Sequence, residues 1–163
     1  SYFNKMHPNQ ALIERFYTAF QQKDFRTMQA CYHPDLRFSD PVFPKLKGAE
    51  AGLMWEMLLT RSADLTITFG NVQADYRSGS CDWEATYTFS GTGRTVHNVI
   101  HAEFLFKNDL ISRHDDRFSF YEWSSQALGL TGKILGWSRF LEKKIQRKAA
   151  DGLRNFIQKK AKN

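Results

Sequence analysis

The run Arg113-His114-Asp115-Asp116-Arg117-Phe118 holds the residue types that move protons. Read as a β-strand, its two-residue period puts His114, Asp116 and Phe118 on one face. An imidazole and a carboxylate then stand side by side on a rigid element, as proton transfer requires. Asp40 stands directly before Pro41. An apolar pocket raises a carboxyl pKa, while a nearby imidazolium lowers it. His114 and Asp116 can therefore take opposite roles near neutral pH, one removing a proton next to a carbonyl and the other returning it. Both features have plainer readings. Asp before Pro is an ordinary turn signal, and His114 and Asp116 could be a buried polar pair between strands, bonded to Tyr17 or Asn98.

The flanking sequence must supply a wall behind this face. Residues 8–22 place Ala11, Leu12, Phe16, Ala19 and Phe20 at helical spacing, and Phe25 to Tyr32 forms a second helix stopped at His33-Pro34. Leu36 to Asp40 alternates as a short strand. A third helix starts at Lys47-Gly48-Ala49, with Trp55 on its inner face. Strands are predicted at Leu65–Tyr76, Cys81–Phe89, Thr95–Phe106 and Leu110–Trp123, joined by short turns. Helices followed by long hairpin-linked strands predict an α+β domain, a curved antiparallel sheet packed on three N-terminal helices to form a cone.

The chain has 163 residues, 42% hydrophobic and 15% aromatic, with 14 Phe, enough for a sizeable core. The formal charge of +6 is unevenly spread. Residues 1–125 carry 13 basic and 15 acidic residues (net −2), and residues 126–163 carry 10 and 2 (net +8). Domain organisation is accordingly read as an α+β domain over 1–125 and a basic amphipathic helical extension over 126–163. Nucleic-acid binding is not expected of the body. In the extension, Ile134, Trp137, Leu141, Ile145, Ala149, Leu153 and Phe156 recur every three or four residues, one apolar stripe on a long helix. Such a helix docks on the domain or on a dimer partner, or lies on an anionic membrane surface with Trp137 and Phe140 at the apolar boundary. No apolar run is long enough to span a bilayer, no secretory signal is read, and the cytoplasm is the expected compartment. Cys31 and Cys81 read as buried thiols. His97, His101 and Glu103 share a strand face, but residues four apart in a strand lie roughly 13 Å apart. No metal site is therefore expected.

The segments Phe16-Tyr17-Thr18-Ala19-Phe20-Gln21-Gln22-Lys23-Asp24, Tyr32-His33-Pro34-Asp35-Leu36-Arg37-Phe38-Ser39-Asp40-Pro41 and Ile111–Phe118, in this order, resemble the nuclear transport factor two fold. Within it, they resemble the ketosteroid isomerase-like and SnoaL-like polyketide cyclase families. The resemblance covers roughly residues 8–123 and implies a cone-shaped domain enclosing a ligand cavity, commonly as a homodimer. It implies Asp40, His114 and Asp116 as catalytic acid–base groups. By the same alignment Asn98, Ile100, Ala102 and Phe104 face inward, with Asn98 as an orienting donor, and Phe16, Tyr17, Phe20, Trp55, Trp83, Tyr87 and Phe118 line the ligand site. The ketosteroid isomerase pattern is broken: Phe16 stands where its Tyr would be and Ala102 where its protonated Asp would be, so both oxyanion donors of that chemistry are missing.

The expected function is a cofactor-independent isomerase or cyclase acting by proton transfer on a small hydrophobic or aromatic molecule. The alternatives are a noncatalytic carrier of a hydrophobic ligand, and a scaffold or membrane-associated module acting through its basic C-terminal helix.

Overall fold

Pro8 occupies the first turn of helix α1 (Pro8–Gln21), where its missing N–H costs nothing, and His7 caps the end by accepting the Asn9 amide at 3.1 Å. Its inward stripe, Ile13, Phe16, Tyr17 and Phe20, is almost fully buried. The computed structural model describes residues 6–163. Asp24 caps the short α2 (Phe25–Ala30). Strand β1 (Tyr32–Ser39) follows at once. His33-Pro34 thus lies inside a strand, and β1 breaks register between Tyr32 and Arg37, where the proline cannot donate to a ladder.

A two-residue strand β2 (Leu46–Lys47) leads into α3 (Glu50–Arg61). Long strands β3 (Thr66–Ala74), β4 (Ser78–Phe89), β5 (Arg94–Lys107) and β6 (Leu110–Arg117) then form consecutive hairpins. The β5–β6 turn is set by Asn108 and Asp109, both at positive φ (53° and 63°), the pair of conformations that a right-twisted hairpin favours.

The six strands run in the order β2-β1-β6-β5-β4-β3. The sheet is mixed rather than wholly antiparallel, because β1 pairs with β6 in parallel. It is also not closed: β2 and β3 are its edges. Its concave face wraps α1 and α3 around one apolar core. The alternation expected of β5 is present, with Val96, Asn98, Ile100, Ala102 and Phe104 buried and the residues between them more exposed.

The sequence predicted strand up to Trp123, but β6 ends at Arg117 and α4 (Phe120–Leu128) begins, capped by Ser119 accepting the Glu122 amide at 3.1 Å. The basic segment is also not one helix. Short α5 (Leu130–Leu135) ends at Gly136, and α6 (Arg139–Ala161) starts afresh from Ser138, whose hydroxyl accepts the Leu141 amide. The predicted stripe is thereby cut. Leu141 and Leu153 are buried, whereas Ile134 and Trp137 stand in solvent. Among the described residues no helix is long and apolar enough to cross a membrane.

Candidate active site

Period-two alternation on β6 turns His114 and Asp116 inward together, as predicted. Their surroundings differ from the expectation. The His114 ring is completely buried, packed edge-on against Phe16 and Phe38 and stacked near Trp55. Its Nδ1 lies 2.8 Å from the Tyr32 hydroxyl, and its Nε2 lies 2.9 Å from Asp116 Oδ1. Trp55 Nε1–H donates to Tyr32 (2.8 Å), and Trp83 Nε1–H donates to Asp116 Oδ1 (3.2 Å). The hydrogen-bond partners of the pair are thus Tyr32 and Trp83, not Tyr17 or Asn98.

The proton positions follow from counting donors. The Tyr32 oxygen already accepts from Trp55, so its own hydrogen needs an acceptor. His114 Nδ1 is that acceptor only when it is bare. A bare Nδ1 puts the imidazole hydrogen on Nε2, pointing at an ionised Asp116. An imidazolium, or a protonated Asp116 facing a bare Nε2, would leave the buried Tyr32 hydrogen with nothing to bond. His114 is therefore neutral and donates to a carboxylate.

Asp116 itself borders a cavity of about 440 Å³ between the sheet, α3 and α6. Its other oxygen, Oδ2, is buried and has no protein partner. Asn98, one strand over and buried, also lines the cavity, and so does Tyr87, whose oxygen accepts from Trp123 Nε1 at 2.8 Å. The rest of the wall is mostly apolar, with Phe20, Trp55, Trp83, Ile100 and Phe118 among the residues expected from the sequence, but Arg61, Ser62, Thr88, Ser90 and Lys148 also line it.

Asp40 enters from the end of β1. Its Oδ1 accepts the Val42 and Phe43 amides at 2.7 and 2.6 Å, so it does serve as a turn carboxylate. It also lines the cavity. Burial against these apolar walls pushes its carboxyl up to about 7, with the Phe43 amide opposing and the Asp116 charge adding to the rise. Two carboxyl groups, Asp40 and Asp116, thus line the same space.

A linked stability change is expected. Because the folded pKa of Asp40 is raised, its contribution is full below the unfolded value (about 4) and is lost as pH rises through about 7. Asp40→Asn keeps an oxygen for the Val42 and Phe43 amides and removes the titration. The melting temperature of the variant relative to the parent should therefore rise between pH 5 and pH 8. A difference that stays flat would mean that Asp40 is solvated.

Five of the residues expected at the ligand site or among its reactive groups lie elsewhere. Phe16, Tyr17, Ala102, Phe104 and His114 are at most 2% exposed and do not border the cavity. They fill the core between α1 and the sheet, where Phe16 meets His114 and Tyr17 meets Phe104. Tyr17 keeps a buried hydroxyl without a protein partner, and burial together with the Asp116 charge pushes its pKa well above the phenol range. Missing from the sequence-based expectation were Tyr32, Phe43 and Trp123. Also missing was the wall that α6 supplies with Ile145, Lys148, Ala149 and Gly152. Gly152 has open space where a Cβ would stand. Among the described residues no group of three His, Cys, Asp or Glu side chains is arranged to hold a metal. His97 and His101 instead pair on the outer sheet face with Glu84 (3.1 Å) and Asp82 (2.6 Å).

A sequence profile of the family described as SnoaL-like domain matches residues 13–114. No curated protein sequence matches the chain. Among solved structures, an LEH-like epoxide hydrolase of M. tuberculosis superposes with a TM-score of 0.63 at 18% identity, over 78% of this chain and 96% of its own. A Pseudomonas putida protein provisionally named a polyketide cyclase gives 0.61 at 18% identity, covering 75% and 98%. TerC, co-crystallised with polyporic acid, gives 0.57 at 17% identity, covering 68% and 91%. At such identities the likeness shows a shared fold alone.

Proposed function

Since the chain belongs to the SnoaL-like domain family, we propose that it is a cofactor-independent proton-transfer enzyme, an isomerase or cyclase, acting on a flat apolar molecule that carries a carbonyl. Asp116 is the base. Its Oδ2 takes a proton from a carbon next to the carbonyl, while His114 and Trp83 hold Oδ1 and fix the carboxylate's direction. Asp40 is the acid and gives its proton to the developing enolate or returns one to carbon. The Tyr87 hydrogen, left free because the oxygen only accepts from Trp123, and the Asn98 amide orient the carbonyl oxygen. His114 is a positioning residue, since it does not reach the substrate.

The observation that carries this proposal is one largely apolar cavity lined by both Asp116, whose Oδ2 is buried without a protein partner, and Asp40, whose carboxyl burial pushes up to about 7. The volume suits a small aromatic ligand, the class to which polyporic acid in TerC belongs. The test is incubation with a panel of bicyclic and tricyclic aromatic ketones in deuterated water. Enzyme-dependent deuterium uptake next to the carbonyl is the expected result. Tight binding of such ketones with no uptake between pH 5 and pH 9 would make the protein a carrier.

A further inference from the structure

Single exposed apolar side chains are normal on a soluble protein, whereas a cluster of them marks a contact surface. Of the ten large hydrophobic side chains exposed among the described residues, six lie between Tyr121 and Phe140. Leu130 is 71% exposed, Ile134 56%, Leu135 40%, Trp137 76% and Phe140 69%. They occupy the knuckle formed by α5 and the start of α6.

The knuckle is built to show them. Gly132 and Gly136 press against α4 so closely that a Cβ on Gly132 would fall 1.9 Å from the Ser124 carbonyl oxygen, and one on Gly136 would fall 2.4 Å from the Ser124 hydroxyl. Helix α5 therefore buries its glycine backbone and turns its large apolar side chains outward, the reverse of a core helix. Helix α6 continues the pattern with two faces. Leu141, Ile145, Ala149 and Leu153 point at the domain, while Phe140, Lys143, Lys144 and Arg147 share the exposed side at helical spacing. Lys133 and Arg139 complete a basic rim around the apolar knuckle. Residues 126–150 contain a single acidic residue, Glu142.

We propose that this knuckle docks on an anionic lipid surface, with Ile134, Trp137 and Phe140 entering the headgroup–acyl boundary and the basic rim resting on the lipid phosphates. An apolar tip inside a cationic ring is complementary to such a surface in both respects. A second copy of the chain fits poorly, since it would bring another strongly basic surface against this one. Phosphates of a nucleic acid would account for the rim but leave the apolar tip exposed.

The experiment is co-sedimentation of the full chain with phosphatidylcholine vesicles, pure or containing about 30 mol % phosphatidylserine. The expected result is binding to the anionic vesicles, weakened by salt, with little binding to the neutral ones. The triple variant I134E/W137E/F140E should lower partitioning about 10-fold or more. It should keep the parent's melting temperature, because all three side chains are exposed. Lys143→Glu with Lys144→Glu should weaken binding without touching the apolar tip, and it serves as the independent arm should the triple variant fold poorly. Absence of binding to phosphatidylserine vesicles at low salt would overturn the proposal. So would binding indifferent to both sets of changes, or a self-association or nucleic-acid complex abolished by the triple variant without any vesicle binding.

Discussion

Asp116→Asn is expected to lower proton-exchange turnover by about 10²–10⁴-fold, the usual contribution of a general base, while aromatic-ketone affinity changes little. The amide oxygen can stay on the inner side, where His114 Nε2–H and Trp83 Nε1–H donate to it. The amide nitrogen then replaces Oδ2, the buried oxygen without a protein partner. His114 and Trp83 keep their acceptor, but the new amide NH2 is buried where no protein acceptor stands. The melting temperature should therefore fall by the equivalent of about 1–3 kcal/mol while the fold is retained. Measured side by side, unchanged affinity with lost exchange would identify Asp116 as the base. A parallel fall in affinity and exchange would identify it as a binding group only.

Leu153→Ala should release α6 from the domain and open one side of the cavity. Leu153 is 3% exposed and sits in the main core, and a buried Leu→Ala change costs about 2–5 kcal/mol. Other ties are fewer. Gln146 donates to the Pro41 carbonyl at 3.0 Å, Lys160 pairs with Glu56, and the Arg61 guanidinium lies 5.6 Å from the Phe156 ring centroid. Most of a helix's stability in a protein comes from packing its apolar face, so the loss should appear as local opening rather than complete unfolding. Trypsin reads this directly, because α6 contains eight Lys and Arg residues. Cleavage within α6 should accelerate first, and ketone affinity should fall about 10-fold, equivalent to about 1.4 kcal/mol, as Ile145, Ala149 and Gly152 leave the wall. Unchanged cleavage and affinity would mean that α6 does not shape the site.

The legible part of the site was that set by local rules. Alternation on β6 put His114 and Asp116 on one face, and the resemblance put Asn98 and Ile100 on the inward face of β5, which its alternating burial matches. Asp40 was visible from its Asp-Pro context and from the resemblance. What stayed hidden depends on distant pairing. Tyr32 and His114 are separated by 82 positions, and nothing in either segment marks the bond that fixes the imidazole tautomer. The depth of the cavity was hidden for the same reason. The alternation that turns Asn98 inward also turns Ala102 and Phe104 inward, but how far α1 fills the cone is a matter of packing. Two misses did leave a local signal. Ser119-Phe120-Tyr121-Glu122 is a capping-box sequence that marks the start of α4, and Gly136 followed by Ser138 marks the break between α5 and α6. The parallel pairing of β1 with β6 left none.

Carbon-13 NMR of the aspartate carboxyls, followed from pH 3 to 9 in the parent and in Asp116→Asn, addresses the chemistry at its root. The Asp40 carboxyl should titrate near 7 in the parent and lower in the variant, because the neighbouring negative charge that helps to raise it is gone. An Asp40 midpoint near 4, the ordinary carboxylate value, in both proteins would contradict the pairing of a proton-holding and an ionised carboxyl in one cavity.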